Sequence, residues 1–178
     1  MLEITLTNKK DFMNKLLCSD CFDDFLLTEA VISVRTTHTI DGHFNQGYYE
    51  KDEWEDPSIR PFDYISWADI RPQCFDLIKG KRTPASLKFI LCCKPSVRDV
   101  IISGHIPGKS SGVTAISGFG SDAIDLLVIR ILFHDDIMSL TTGVSYNSFV
   151  PSHDAEHAFD DWICAFLKEK NIDFDIAD

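Results

Sequence analysis

Six basic residues and no acid lie between Leu77 and Arg98: Lys79, Lys81, Arg82, Lys88, Lys94 and Arg98. The chain as a whole carries a formal net charge of −11 at pH 7, so without those six the remainder stands at −17. Ammonium and guanidinium groups gathered on a loop bind phosphate or carboxylate. Lys79, Lys81 and Arg82, with Arg71 nearby in sequence, therefore point to a site for an acidic or phosphate-bearing partner. Three structural roles compete with that reading. Lys79 suits the negative end of a helix dipole, a charge run serves as a solvated face, and the bases could offset the acidic stretch from Glu50 to Asp63.

Other spacings suggest other chemistry. His153-Asp154-Ala155-Glu156-His157 fits the H-x-x-E-H pattern, and histidines four apart share a helix face and can reach one metal ion. His153 and His157 lie opposite the apolar stripe of their segment, beside Asp160 and Cys164, so a metal there would be at the surface. Only 21 residues follow His157, little room for a remote third ligand. Cys18-Ser19-Asp20-Cys21 has zinc or redox spacing, but the adjacent Cys92 and Cys93 point to opposite faces of a strand and make a poor second pair. Ser103 to Ser110 resembles a phosphate-binding loop one residue short of G-x-x-x-x-G-K-[ST]. His134-Asp135-Asp136 is explained by turn chemistry, and His38 falls at an inward strand position as a core histidine. No cofactor is implied.

These residues must be positioned by a chain of 178 residues, read as one domain spanning 1–178 with a Gly/Ser-rich loop or insertion at 104–122. A composition of 44% hydrophobic and 25% charged residues is that of a globular protein. No apolar run is long enough to span a membrane, and no basic-then-apolar leader opens the chain. The expected setting is the cytoplasm, with no membrane partner and all six cysteines as free thiols. The acidic balance disfavours nucleic acid.

Leu2 to Leu6 alternates as a strand. A helix capped by Thr7 or Asn8 then places Phe12, Met13, Leu16 and Leu17 on one face. Phe25 to Ile40 reads as a long half-buried strand, Asp41-Gly42 as a tight hairpin turn, and His43 to Tyr49 as the return. Glu50 to Asp63 reads as a loop. Ser66 and Asp69 resemble a capping box, but Pro72 places the main helix start near Arg71, and Gly80 ends that helix. Thr83 to Cys93 is a strand, Ser96 to Ile102 a helix, and Ile124 to Phe133 with Ile137 to Tyr146 a hairpin. Pro151-Ser152 opens a last helix with Phe159, Trp162, Ile163, Phe166 and Leu167 in its stripe. The order βαββαβαββα predicts an α+β fold, a largely antiparallel sheet of about six strands packed by helices.

The runs Asp11 to Leu17, Thr39 to His43, Ser66-Trp67 through Ile78 to Pro84, and Thr141-Thr142-Gly143 resemble a domain-of-unknown-function family of small, uncharacterised bacterial proteins of Firmicutes type. The resemblance spans about residues 8 to 167 and is most specific over Ile78 to Pro84. It implies a small bacterial cytosolic protein and brings no activity with it. The element order also resembles that of a DNA sliding-clamp domain, a likeness of topology alone. The expected function is a non-enzymatic binding or regulatory module using the Lys79 loop. The alternatives are a small metal- or phosphate-dependent enzyme, a clamp-like nucleic-acid-associated protein and a structural subunit.

Overall fold

A computed structural model describes residues 1–107, 123–148 and 153–176. Within them the chain runs β1 (Glu3–Leu6), α1 (Lys9–Cys18), β2 (Phe25–Ser33), β3 (Thr37–Asp41), a 3-10 turn (Gln46–Tyr48), α2 (Lys51–Glu55), α3 (Trp67–Ile78), β4 (Ser86–Cys93), α4 (Pro95–Ile102), β5 (Ile124–His134), β6 (Ile137–Tyr146), α5 (Asp154–Glu169) and β7 (Phe174–Ile176). The strands form one antiparallel sheet in the order β3-β2-β4-β5-β6-β1-β7. The fold is α+β as the patterning predicts, with seven strands where about six were expected. The additional one, β7, is a three-residue edge strand paired to β1.

Period-two alternation explains the layering. Ile32, Leu87, Phe133 and Met138 stand opposite one another across β2, β4, β5 and β6, as do Ala30, Phe89, Ile131 and Leu140, and all are buried. Helices cover this face. The opposite face carries Glu29, Lys88, Arg130 and Thr141 around the half-buried Val31, Ile90 and Leu132. Between helices and sheet, Phe22 meets Phe12 and Phe166 edge-on at 5.7 and 5.4 Å, and Trp162 stacks on Phe166 at 5.1 Å. Each such aromatic contact adds about 0.5–1.5 kcal/mol beyond the area it buries.

Several local expectations give way. The hairpin turn lies at Val34 to Thr36, where the Val34 N–H donates to the Thr36 carbonyl at 3.1 Å, so β3 returns earlier than the run of β-branched residues suggests. Gly42 is no turn residue. Its N–H donates to the Thr28 carbonyl at 2.9 Å, and a Cβ there would lie 1.7 Å from the Leu27 carbonyl oxygen, so close backbone approach requires glycine. His43 to Tyr49 forms no strand, and the Glu50 to Asp63 stretch contains α2, whose Glu53 carboxylate accepts the Glu50 N–H at 3.0 Å.

The helix α3 begins at Trp67 with Ser66 as N-cap and carries Pro72 in its interior. Burial of Trp67 and Ile70 outweighs the single backbone bond that proline forfeits. The helix ends without a left-handed glycine: Lys79 turns extended (φ −56°, ψ 133°), and Gly80 has no positive φ. The aspartates at the β5–β6 tip do adopt turn geometry, with Asp135 and Asp136 at φ 49° and 61°. That is the pair of left-handed residues a tight hairpin needs. Most of the 104–122 segment, the Gly108 to Ser110 part of the phosphate-loop-like motif and Pro151-Ser152 lie outside the described residues.

Gly42→Ala is expected to destabilise the fold by about 1–3 kcal/mol, the usual cost of overpacking. Gly80→Ala, where a Cβ meets nothing within 4 Å, is expected to be near neutral. Urea denaturation of the two variants checks both. Equal stabilities would show that the Gly42 approach is not constrained.

Candidate functional site

A cleft of about 660 Å³ lies between α1, the last turn of α3, the connection 79–84 and the β5–β6 tip. The helix α3 stops at Ile78 and β4 starts only at Ser86, and residues 79–84 of the connection line the cleft. Leu17, Leu87, Phe133 and Met138, all buried, form the floor. Met13 and Ile78 flank it half-buried, and Phe75 stands on the wall 38% exposed.

Five cations rim this apolar floor: Lys79, Lys81 and Arg82 from the connection, and Lys9 and Lys10 from the first turn of α1. Two have partners. Lys9 Nζ donates to the Asp136 backbone carbonyl at 2.8 Å and to its carboxylate, tying α1 to the hairpin tip. Lys79 Nζ lies 2.8 Å from an Asp76 carboxylate oxygen, with both side chains well exposed. Such an exposed pair contributes only about 0–1 kcal/mol and yields readily to a better anion. Lys10, Lys81 and Arg82 make no ion pair or side-chain hydrogen bond to any described residue. None of the five pairs with the Glu50 to Asp63 stretch; Arg60 within that stretch pairs with Asp63 at 3.0 Å.

The other three bases of the Leu77 to Arg98 run are elsewhere. Lys88 meets Glu29 at 2.7 Å on the open sheet face, Lys94 lies 5.8 Å over the Phe62 ring, and Arg98 contacts Asp99 and the Asp125 carbonyl. Arg71 does not line the cleft. Its guanidinium is held by the Ser19 carbonyl and the Asp23 carboxylate, where it ties α3 to the connection after α1.

His153, the N-cap of α5, and His157 in its first turn are both exposed, and His153 Nδ1 is engaged by the Glu156 carboxylate. Among the described residues no group of three or more His, Cys, Asp or Glu side chains converges as a metal site. His38 faces the α3 side of β3, half-buried, with Nε2 2.9 Å from the Thr36 hydroxyl. Cys92 and Cys93 are both buried on opposite faces of β4. Cys18 is exposed and lines the cleft, whereas Cys21 is half-buried.

Sequence reasoning found the 79–82 cations but missed Lys9 and Lys10 and the apolar floor. The one available signal was the Lys9-Lys10 pair opening an amphipathic helix, and nothing local relates it to residue 80. Among the described residues no helix is long and apolar enough to cross a membrane.

The chain belongs to a family of unknown function, DUF5721, whose match covers residues 15–175. That range takes in the cleft floor and the 79–84 connection and begins after Lys9 and Lys10. No curated protein and no solved structure matches the chain, so the likeness to a sliding-clamp domain remains one of element order.

The thiols offer a direct check on the cleft. Burial pushes Cys74 and Cys92 up to about 12 and Cys93 well above the ordinary thiol range. Because the thiolate is the reactive form, iodoacetamide on the native protein at neutral pH is expected to modify Cys18 first. Cys74, Cys92 and Cys93 should react only after denaturation. Peptide mapping by mass spectrometry reads the order, and early modification of Cys74 would contradict this packing.

Proposed function

We propose that this member of a family of unknown function is a non-enzymatic binding module that holds the phosphate or carboxylate of its partner on Lys79, Lys81 and Arg82. Lys9 and Lys10 complete the rim. The observation that carries this reading is the meeting of Lys10, Lys81 and Arg82, none of them paired with a described residue, at the mouth of one cleft in a chain of net charge −11. Unpaired cations in a chain with surplus carboxylates are held apart from them by the fold. Their mutual repulsion is relieved when an anion arrives.

The remaining polar side chains of the cleft favour binding over catalysis. They are the Asn14 amide, the Cys18 thiol, the Thr83 hydroxyl and Asp136. Asp136 is the sole carboxylate among them and already accepts from Lys9, so it is poorly placed as a general base. A cytoplasmic setting suits the free thiols, among them the exposed Cys18.

Pyrophosphate titrated into the protein by calorimetry is expected to bind, with affinity falling as salt rises. Lys81→Ala with Arg82→Ala should weaken binding by about tenfold or more, since each charge-assisted hydrogen bond contributes roughly 1.5–3 kcal/mol. The melting temperature should hold, because both side chains are exposed and unpaired. A protein that takes up neither pyrophosphate nor polyglutamate at low salt would refute the anion site.

A further inference from the structure

The cations of the rim stand over an apolar floor that a bare phosphate has no means of using. Building on the rim as an anion site, we infer that the cleft takes a small amphipathic anion, a single phosphate or carboxylate head on an alkyl or acyl chain. The head lies among Lys10, Lys81 and Arg82, and the chain lies on Leu17, Leu87, Phe133 and Met138.

Three observations carry this. The first is size and lining: about 660 Å³ falls within the roughly 300–1,000 Å³ of small-molecule sites. The floor is drawn from α1, β4, β5 and β6 and includes no charged side chain. Met138 on the floor and Met13 beside it are flexible thioethers that adapt to a chain of variable shape.

The second is Phe75. A phenylalanine 38% exposed on the final turns of α3, beside the cations, is a wall that a bound chain would cover.

The third is charge, and it selects a small ligand over a large one. The field of the rim acts over a Debye length of about 8 Å at physiological salt. A small anion meets only the rim, whereas an acidic protein or a nucleic acid must also face the surplus carboxylates of the rest of the chain. An anionic membrane surface meets the same repulsion.

Calorimetry with hexyl, octyl and decyl phosphate, each below its micellar concentration, tests the inference against pyrophosphate and decyltrimethylammonium. Affinity is expected to rise about two- to fourfold per added methylene, up to the value for full burial. The cationic amphiphile should not bind. Phe75→Ser should flatten the chain-length trend while leaving pyrophosphate affinity unchanged, and Lys81→Ala with Arg82→Ala should lower all three alkyl phosphates by one common factor. If pyrophosphate binds and chain length has no effect, the amphipathic ligand is overturned and the anion site stands. If no anion binds, both fall. Equal binding of decyltrimethylammonium would reduce the cleft to a nonspecific apolar surface and overturn the inference. So would co-sedimentation with phosphatidic acid vesicles when free decyl phosphate fails to bind.

Discussion

The indole of Trp67 fixes the relation of the helices to one another. It is fully buried, donates its N–H to the Leu16 carbonyl at 2.9 Å and meets Phe89 edge-on at 5.5 Å. One side chain thus joins α1, α3 and the inner strand β4. The bond to Leu16 also satisfies a carbonyl in the last turn of α1, where backbone acceptors lack helical partners. A short distance along, Arg71 bridges the same two segments through Ser19 and Asp23. With α1 and α3 held together at these points, the cleft lies between α1 and the end of α3.

On its far side the cleft is bounded by the Lys9–Asp136 pair. That pair spans 127 positions in sequence and joins the first turn of α1 to the β5–β6 tip. The tip can present the Asp136 side chain and its carbonyl together because two consecutive left-handed residues turn the backbone sharply there. The connection 79–84 contributes the cations without regular structure of its own. Rigid elements therefore form the floor and walls, and an irregular segment carries the recognising charges, the usual division between scaffold and function.

How much of this could be read from the sequence depended on whether the governing interaction was local. Strand alternation in Ile124 to Tyr146 and the stripe of α5 report directly on one face of burial, and the structure matches them. The turn at Val34 to Thr36 was hidden because Val34 and Thr36 have the β-branched character of the strands on either side. Gly42 looked like turn chemistry, but the Leu27 backbone, fifteen positions away, decides it. Pro72 looked like a helix start, yet the burial of Trp67, visible only in the assembled fold, carries the helix past it. The same limit applies to the cleft. Lys79, Lys81 and Arg82 are neighbours in sequence and were legible. Lys10, the remaining unpaired member of the rim, and the floor beneath depend on which strands become neighbours, and periodicity carries no information about that.

The distribution of pairing gives the cleft its meaning. A chain with 28 acids and 17 bases has carboxylates in excess for every cation. Arg60, Arg71, Lys88 and Arg98 each have one. Among the described residues Arg35, Lys51 and Arg130 lack an ion pair but stand singly, on the β2–β3 turn, on α2 and on the exposed sheet face. Lys168 and Lys170 also lack one at the end of α5, where Lys170 lies 5.8 Å over the Phe166 ring. At the cleft three unpaired cations, Lys10, Lys81 and Arg82, meet over apolar side chains, where a neighbouring low-dielectric wall strengthens their field. Random placement of surplus acids would quench such a cluster. Among the described residues Asp136 is the sole carboxylate lining the cleft, and Lys9 engages it. That salt bridge ties α1 to the hairpin tip and, with Lys79 held by Asp76, leaves Lys10, Lys81 and Arg82 as the rim cations without a partner among the described residues.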